Sequence, residues 1–446
     1  MISCKRIPII LLAVCAFAQD TRTVVEPKIP AACATLQAQL AAPVAESDES
    51  KLDTERVQRA IDSCTAGRSV VLEADGDRRA FLSGPLNLRS GITLVIAKGA
   101  TLYASRDPRL FDMKPGTCGI VAETSRGCKP LISGERIQNA GVMGDGTIDG
   151  RGGEHLFNQQ VSWWDLAQQA KVTNKNQNCP RLIVVTKSEE FTLYKITLKN
   201  SPNFHVVFNG NGFTAWGVIV NTPKTARNTD GIDPSSATNV TITHCFIHTG
   251  DDNVAIKAGS TGPSTHMTIA HNHFYTGHGM SIGSETDGGA SAIRVIDLSI
   301  DGADNGLRIK SNVSRGGLVE GVVYEDVCIR NTKNPIYLDS NYSFFGEARN
   351  KPPLFRGIEF HSVAIEGAGR ITLDGLDETH RLGLLFDGVK VDPQQIRLIA
   401  KHARIQLGPG LSNLAIAGED VTVVRAQGVT QSNVQCVSKF VPMPDR

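Results

Sequence analysis

The chain has 446 residues, enough for two ordinary domains or for one elongated repeat domain. Glycine numbers 43, aromatics make up 6% and charged residues 20%, a balance that suits strands and turns and excludes long disorder. A formal net charge of +1 supplies no global field to recruit nucleic acid or a membrane surface, so any anionic ligand must be held by a local cluster of Lys and Arg.

At the N-terminus, Lys5 and Arg6 precede an apolar run from Ile7 to Phe17, and Ala16-Phe17-Ala18 has the small-x-small form of a cleavage site. This predicts a secretory signal peptide over residues 1–18, too short for a permanent membrane helix, and hence an extracellular protein. Val14 before Cys15 is not the small residue that a lipoprotein site needs. Removing the peptide changes the formal charge from +1 to −1. Eight of the ten cysteines then remain, and an exported chain can keep them paired. Cys33 with Cys64 and Cys118 with Cys128 are plausible local bridges. Cys245 and Cys328 lie in alternating apolar stretches and read as buried free thiols. None has zinc-ligand spacing.

Residues 52–66 carry apolar positions at helical spacing, with Asp53 or Thr54 as the candidate N-cap. Beyond them the pattern changes to short alternating runs bounded by Gly, Asn, Asp and Pro, with almost no helical stretch. These runs recur. Phe191-Thr192-Leu193 is followed 22 residues later by Phe213-Thr214-Ala215, and Val240-Thr241-Ile242-Thr243-His244 is answered 27 residues on by Met267-Thr268-Ile269-Ala270-His271. A further cycle falls at Val323–Ile329. Self-similarity at this period, with strands in each unit, argues for a parallel β-helix whose stacked coils bury one continuous core. A two-sheet sandwich is the rival, but its strands need not resemble each other. The expected organisation is one all-β domain over 19–446, with an N-terminal cap at about 33–66 protecting the open end.

Four short motifs sit in consecutive coils: Asn228-Thr229-Asp230-Gly231, Gly250-Asp251-Asp252-Asn253, Gly277-His278-Gly279 and Arg308-Ile309-Lys310. From Asp230 to Asp252 is 22 residues, from there to His278 26, and from there to Arg308 30, each about one coil. Stacked strands lie ~4.8 Å apart, so such residues become neighbours on one face. Arg308 and Lys310 share a face while Ile309 points to the core. Asp251 and Asp252 are adjacent, so bringing both into one cleft requires a bend, which Gly250 makes inexpensive. The glycines flanking His278 keep bulk away from a bound chain.

Clustered carboxylates repel, so at least one should keep its proton. A protonated acid beside an ionised base is the pairing that cleaves a glycosidic bond, and two cations alongside specify an acidic sugar. Three aspartates also suit calcium, but Arg308 and Lys310 would repel it. Taken singly, an Asp in such a turn is ordinarily a turn former, a His between glycines is surface decoration and Arg-x-Lys is a solvated face. Their common register with complementary charges is what argues for a site.

At these residues the chain resembles glycoside hydrolase family 28, the polygalacturonases, whose pattern is NTD, DD, GHG and RIK. The likeness extends through GDGTIDGRGG (144–153), VSWW (161–164), SPNFHVVF (201–208), GFTAW (212–216), TARNTDGIDP (225–234), GDDNVAIKAG (250–259), GHGMSIGSET (277–286) and NGLRIKS (305–311), strongest over roughly 85–345. The resemblance implies a right-handed parallel β-helix and hydrolysis of polygalacturonate with inversion, without metal or other cofactor. It implies Asp251 as general acid, Asp230 and Asp252 as the pair that orients and deprotonates water, and His278 as a group that tunes the acid or contacts substrate. It also implies Arg308 and Lys310 on a galacturonate carboxylate, Tyr342 lining the cleft and Asn228 beside the substrate. Asn228 and Asp233 would at least support their loop, and His205 packs or supports rather than reacts. Inversion needs room for a water, about 6.5–9.5 Å between acid and base, and Asp251 should lie near or somewhat below that distance from its partners.

Several alternatives stay open at this point. They are exo rather than endo action, a rhamnogalacturonan hydrolase within the family, a calcium-dependent pectate lyase on the same solenoid, and a polysaccharide-binding adhesin without activity. A monomer is expected, with no nucleic-acid or membrane partner.

Overall fold

The computed structural model describes residues 19–124, 126–343, 350–428 and 434–445; the predicted signal peptide and its two cysteines lie outside the described residues. Helix α1 (Thr54–Ser63) is followed by strand after strand, from Arg68–Glu73 to Gly418–Arg425. Nearly all belong to a single 28-stranded sheet in which strands pair in parallel with those a coil away, while Ile120–Ala122 and Asn176–Asn178 form a separate antiparallel pair. This is the parallel β-helix, and the sandwich is excluded.

The repeats seen in the sequence are in register. Phe191 lies opposite Phe213, and Val240 opposite Met267. Alternation explains the core: Ile183 and Val185 are buried, and Phe191, Phe208 and Phe213 stack inside, with Phe208 and Phe213 ring centroids 4.9 Å apart. Each long strand turns a corner by placing one residue in the left-handed region. At one corner the stacked residues Lys195, His244, His271, Asp297 and Asp326 have φ between 53° and 59°. The local penalty of this conformation for a non-glycine residue is about 1–2 kcal/mol, and the ladder hydrogen bonds on both sides offset it.

Asp53 stands at the N-cap position of α1, but its carboxylate accepts from Leu82 N (3.1 Å) and pairs with Arg56 rather than capping the helix. Thr54 Oγ1 accepts from Gly84 N, tying α1 to the first coils. A second helix, α2 (Trp163–Val172), stands where the sequence reading placed none. Its signal was available: Ser162 and Asp165 form a capping box, and Trp163, Leu166, Ala167 and Ala170 are buried at helical spacing.

Segments near both ends of the described chain lie back over the solenoid. Asp20 accepts from Thr241 Oγ1 and donates its N–H to Thr268 Oγ1, two coils of an outward threonine row. Cys328 is not a free thiol: it is bridged to Cys436, which pins the C-terminal tail 108 residues away in sequence. The other two bridges, Cys33–Cys64 and Cys118–Cys128, are as expected, and Cys245 is free and buried.

Candidate active site

The cleft floor is the outward face of the strands Ile232–Thr243, Val254–Ile256, Met280–Gly283 and Asn305–Lys310. Ile232 pairs with Val254, Val254 with Met280 and Met280 with Leu307. Asp230, Asp251, Asp252 and His278 sit just before these strands, so one-coil spacing brings them together. The bend at 250–251 turns both aspartates of the pair into the cleft. Gly250 serves a different purpose from the one expected: its φ is ordinary, but a Cβ there would lie 2.0 Å from Ala226 O. The glycines beside His278 also allow close approach, a Cβ on Gly279 meeting Gly306 O at 2.1 Å, and both adopt positive φ, 140° at Gly277 and 74° at Gly279.

Asp252 is buried and saturated. Its Oδ1 accepts from Ser281 Oγ (2.6 Å) and Arg308 (3.1 Å), and its Oδ2 from Lys310 Nζ (2.7 Å). The two cations expected on a substrate carboxylate are therefore committed to Asp252 in this structure. Ile309 between them is in the core, as alternation required. Arg308 also lies 5.6 Å from the Tyr337 ring centroid and 5.4 Å from that of Tyr342, and its buried Nε has no hydrogen-bond partner among the described residues. Tyr342 thus lines the cleft beside both cations.

Asp251 Oδ1 accepts from Asp252 N (2.9 Å) and faces His278 Nδ1 at 3.0 Å. Burial alone would raise the Asp251 pKa. The His278 hydrogen bond and charge, with Lys310 and Arg308, overcome it and hold the carboxyl well below the usual range. Burial would lower His278, but Asp251 and Asp252 raise it above an ordinary imidazole. Both shifts favour the ion pair, with the proton on His278 and Asp251 as the carboxylate. Of the three aspartates only Asp251 reaches the cleft surface: its side chain is 21% exposed, against 5% for Asp230 and 2% for Asp252.

Asp230 is the carboxyl whose pKa rises well above normal, because it is buried and faces Asp233, Asp251 and Asp252. Its partner was missed by sequence reasoning. Lys257 Nζ lies 3.1 Å from Asp230 Oδ2 and 2.6 Å from Asp233 Oδ2, over the Phe204 ring at 4.0 Å. The available signal was position: Lys257 is one coil on from Ser235 in parallel register. Burial pushes Asp233 up to about 6 despite this partner. His205 is buried; Nδ1 donates to Asp230 O (2.9 Å), so Nε2 accepts from Thr222 Oγ1 (2.7 Å), and burial lowers its pKa to about 4. Asn228 adopts φ 57°, shaping the turn that carries Asp230.

Asp251, Asp252 and His278 could offer ligand atoms within 4.8 Å of one another to a cation. Both Asp252 oxygens are already bonded, however, and the upward shift of His278 disfavours the neutral ring that a metal needs. The 4.8 Å also places one oxygen of Asp251 closer to Asp252 than the separation typical of inverting pairs.

The model for glycosyl hydrolases family 28 matches residues 79–402. An endo-polygalacturonase of Pectobacterium carotovorum subsp. carotovorum is 46% identical over 383 residues, 85% of this chain and 92% of its own. A polygalacturonase of Ralstonia solanacearum is 42% identical, with 94% of this chain and 92% of its own covered. Among solved structures, the polygalacturonase from Erwinia carotovora ssp. carotovora superposes with a TM-score of 0.82 at 44% identity, covering 87% of this chain and all of that one.

Proposed function

The chain belongs to glycosyl hydrolases family 28, and on that premise we propose that it is a secreted endo-polygalacturonase hydrolysing α-1,4 linkages of polygalacturonate with inversion. The observation that carries this reading is the cleft itself: one partly exposed aspartate hydrogen-bonded to His278, flanked by two buried aspartates whose counter-cations lie on the same floor. Asp251 is the general acid. The proton on the His278 side of the pair passes by way of Asp251 to the leaving glycosidic oxygen, leaving His278 neutral. Asp230 and Asp252 hold and deprotonate the attacking water.

A substrate carboxylate entering beside Arg308 would use its unpartnered Nε and compete with Asp252 for Lys310. That competition loosens the cations from Asp252 and makes it a better base. Substrate binding thereby prepares the water-activating side.

Incubation with polygalacturonic acid plus EDTA tests the reading. Rapid viscosity loss, new reducing ends and no ultraviolet-absorbing unsaturated product are expected. Release of monomer or dimer alone would mean exo action; no reducing ends would remove the hydrolase reading.

A second reading reverses the roles, since of the three aspartates Asp230 is raised while Asp251 and Asp252 are lowered. A galacturonosyl fluoride needs no protonation of its leaving group. It should restore turnover to Asp251→Asn and not to Asp230→Asn; the opposite pattern would make Asp230 the acid.

A further inference from the structure

The cleft floor does not end at the catalytic cluster. Followed toward the N-terminus, Asp233 stands opposite Val207, Val207 opposite Val184 and Val184 opposite Ser133; the next coil places Asn87 beside Ser133. The residues just before these strands form a second row. The backbone ladder runs from Asp230 O to His205 N, from Phe204 O to Leu182 N and from Arg181 O to Leu131 N. Arg181 is therefore two coils from Asp230, about 10 Å, and Lys129 about 14 Å at one coil further.

Beyond Lys129 the floor opens into a depression of about 680 Å³. It is lined by Lys129, Ser133 and Asn87 on the coils and by Arg56 and Arg59 on α1, with Glu55 as its single acid. Gln58 of α1 bonds Asn87 in both directions, so the helix forms the end wall of the floor.

The cations on this track differ from those at the cluster. Lys257, Arg308 and Lys310 are each paired with a buried aspartate, and Arg56 with Asp53. Arg181, Lys129 and Arg59 have no acid within ion-pair distance among the described residues. Arg181 has its guanidinium carbon 4.7 Å from the Phe204 ring centroid and makes one long bond to Asn203 Oδ1 (3.4 Å). Stacking orients a guanidinium and leaves its fork free for a planar anion. Lys129 and Arg59 are exposed.

We propose that Arg181, Lys129 and Arg59 form a carboxylate-binding track that holds the same polyuronate chain over about four coils between the cleaved bond and helix α1. This rests on the polyuronate substrate proposed above. A 1,4-linked uronate advances by a distance similar to one coil, so its regularly spaced carboxylates match cations placed coil by coil. The repeat fold supplies the spacing, and α1 supplies the last cation as well as the cap.

The test compares Arg181→Gln, Lys129→Gln, Arg59→Gln and the triple variant with Lys98→Gln, an exposed cation elsewhere on the surface. Folding is checked by circular dichroism and thermal midpoint. Each cleft variant should raise KM for polygalacturonate about two- to fivefold, with the triple variant at about tenfold or more and kcat changed less than twofold. The effect should shrink on trigalacturonate, which cannot span the track, and the wild-type salt dependence of KM should flatten in the triple variant. KM unchanged on polymer, or raised equally on trimer, would overturn the track. Should the wild type release no reducing ends, the functional reading fails. Retardation of the protein in a polygalacturonate-containing native gel then still decides the track, by whether the triple variant loses it.

Discussion

Replacing Lys257 by Met puts the most weight on the electrostatic account of the cleft. Its ammonium lies 3.1 Å from Asp230 and 2.6 Å from Asp233, both buried. Removing one partner of a buried ion pair costs about 3–5 kcal/mol. The carboxyls can escape part of this cost by taking up protons. Asp233 already sits at about 6 with the cation in place, and without it both groups move higher. An acid with a raised folded-state pKa binds more protons folded than unfolded, so its stability contribution is greatest at low pH. It is lost, at about 1.4 kcal/mol per pH unit, as pH rises from the ordinary aspartate range through the folded value. The gap in stability between wild type and Lys257→Met should therefore be widest near pH 7 and narrow toward pH 5.

Activity should follow the same sign. If Asp230 must be ionised to take a proton from water, the acid limb of kcat/KM against pH moves to higher pH in the variant. Lys257→Arg, which keeps the charge, should restore most of it. Chemical denaturation at pH 5 and pH 7 with pH–rate profiles for both variants checks this. A pH-independent stability loss together with an unmoved acid limb would refute the reasoning.

Gly250→Ala should misplace Asp251, because its methyl would lie 2.0 Å from Ala226 O and backbone must yield. We expect kcat to fall at least about tenfold, and wild-type kcat would contradict the close-approach account. Cys436→Ser opens a loop of 108 residues and Cys118→Ser one of 10. Chain entropy predicts losses of about 5 and about 3 kcal/mol, so thermal midpoints should fall in that order. His205 should show no titration near the ordinary imidazole value and should protonate only near 4, as followed by histidine NMR. Its folded pKa is lowered, so stability is lost as pH falls from about 6.5 toward 4, by about 3 kcal/mol in total.

The solenoid was legible in the sequence because each coil repeats the same local demands. Between residues 195 and 326, alternating apolar residues and a corner in left-handed backbone recur every 22 to 29 positions. The cluster Asp230, Asp251, Asp252 and His278 was legible for the same reason: in a stacked fold, a gap of one coil means contact. Helix α2 was equally local, and Ser162 with Asp165 marked it.

Only the tertiary structure decided how charge is distributed within that cluster. Arg308 and Lys310 turn to Asp252, Lys257 reaches Asp230 and Asp233, and Cys328 finds Cys436, because side-chain direction and burial across coils set which ions are desolvated together. The same burial decides which carboxyl keeps a proton. A lysine in an apolar run such as Val254–Lys257 carries no sign in the sequence of the two aspartates it will neutralise. That information exists only once the coils are stacked and water is excluded between them.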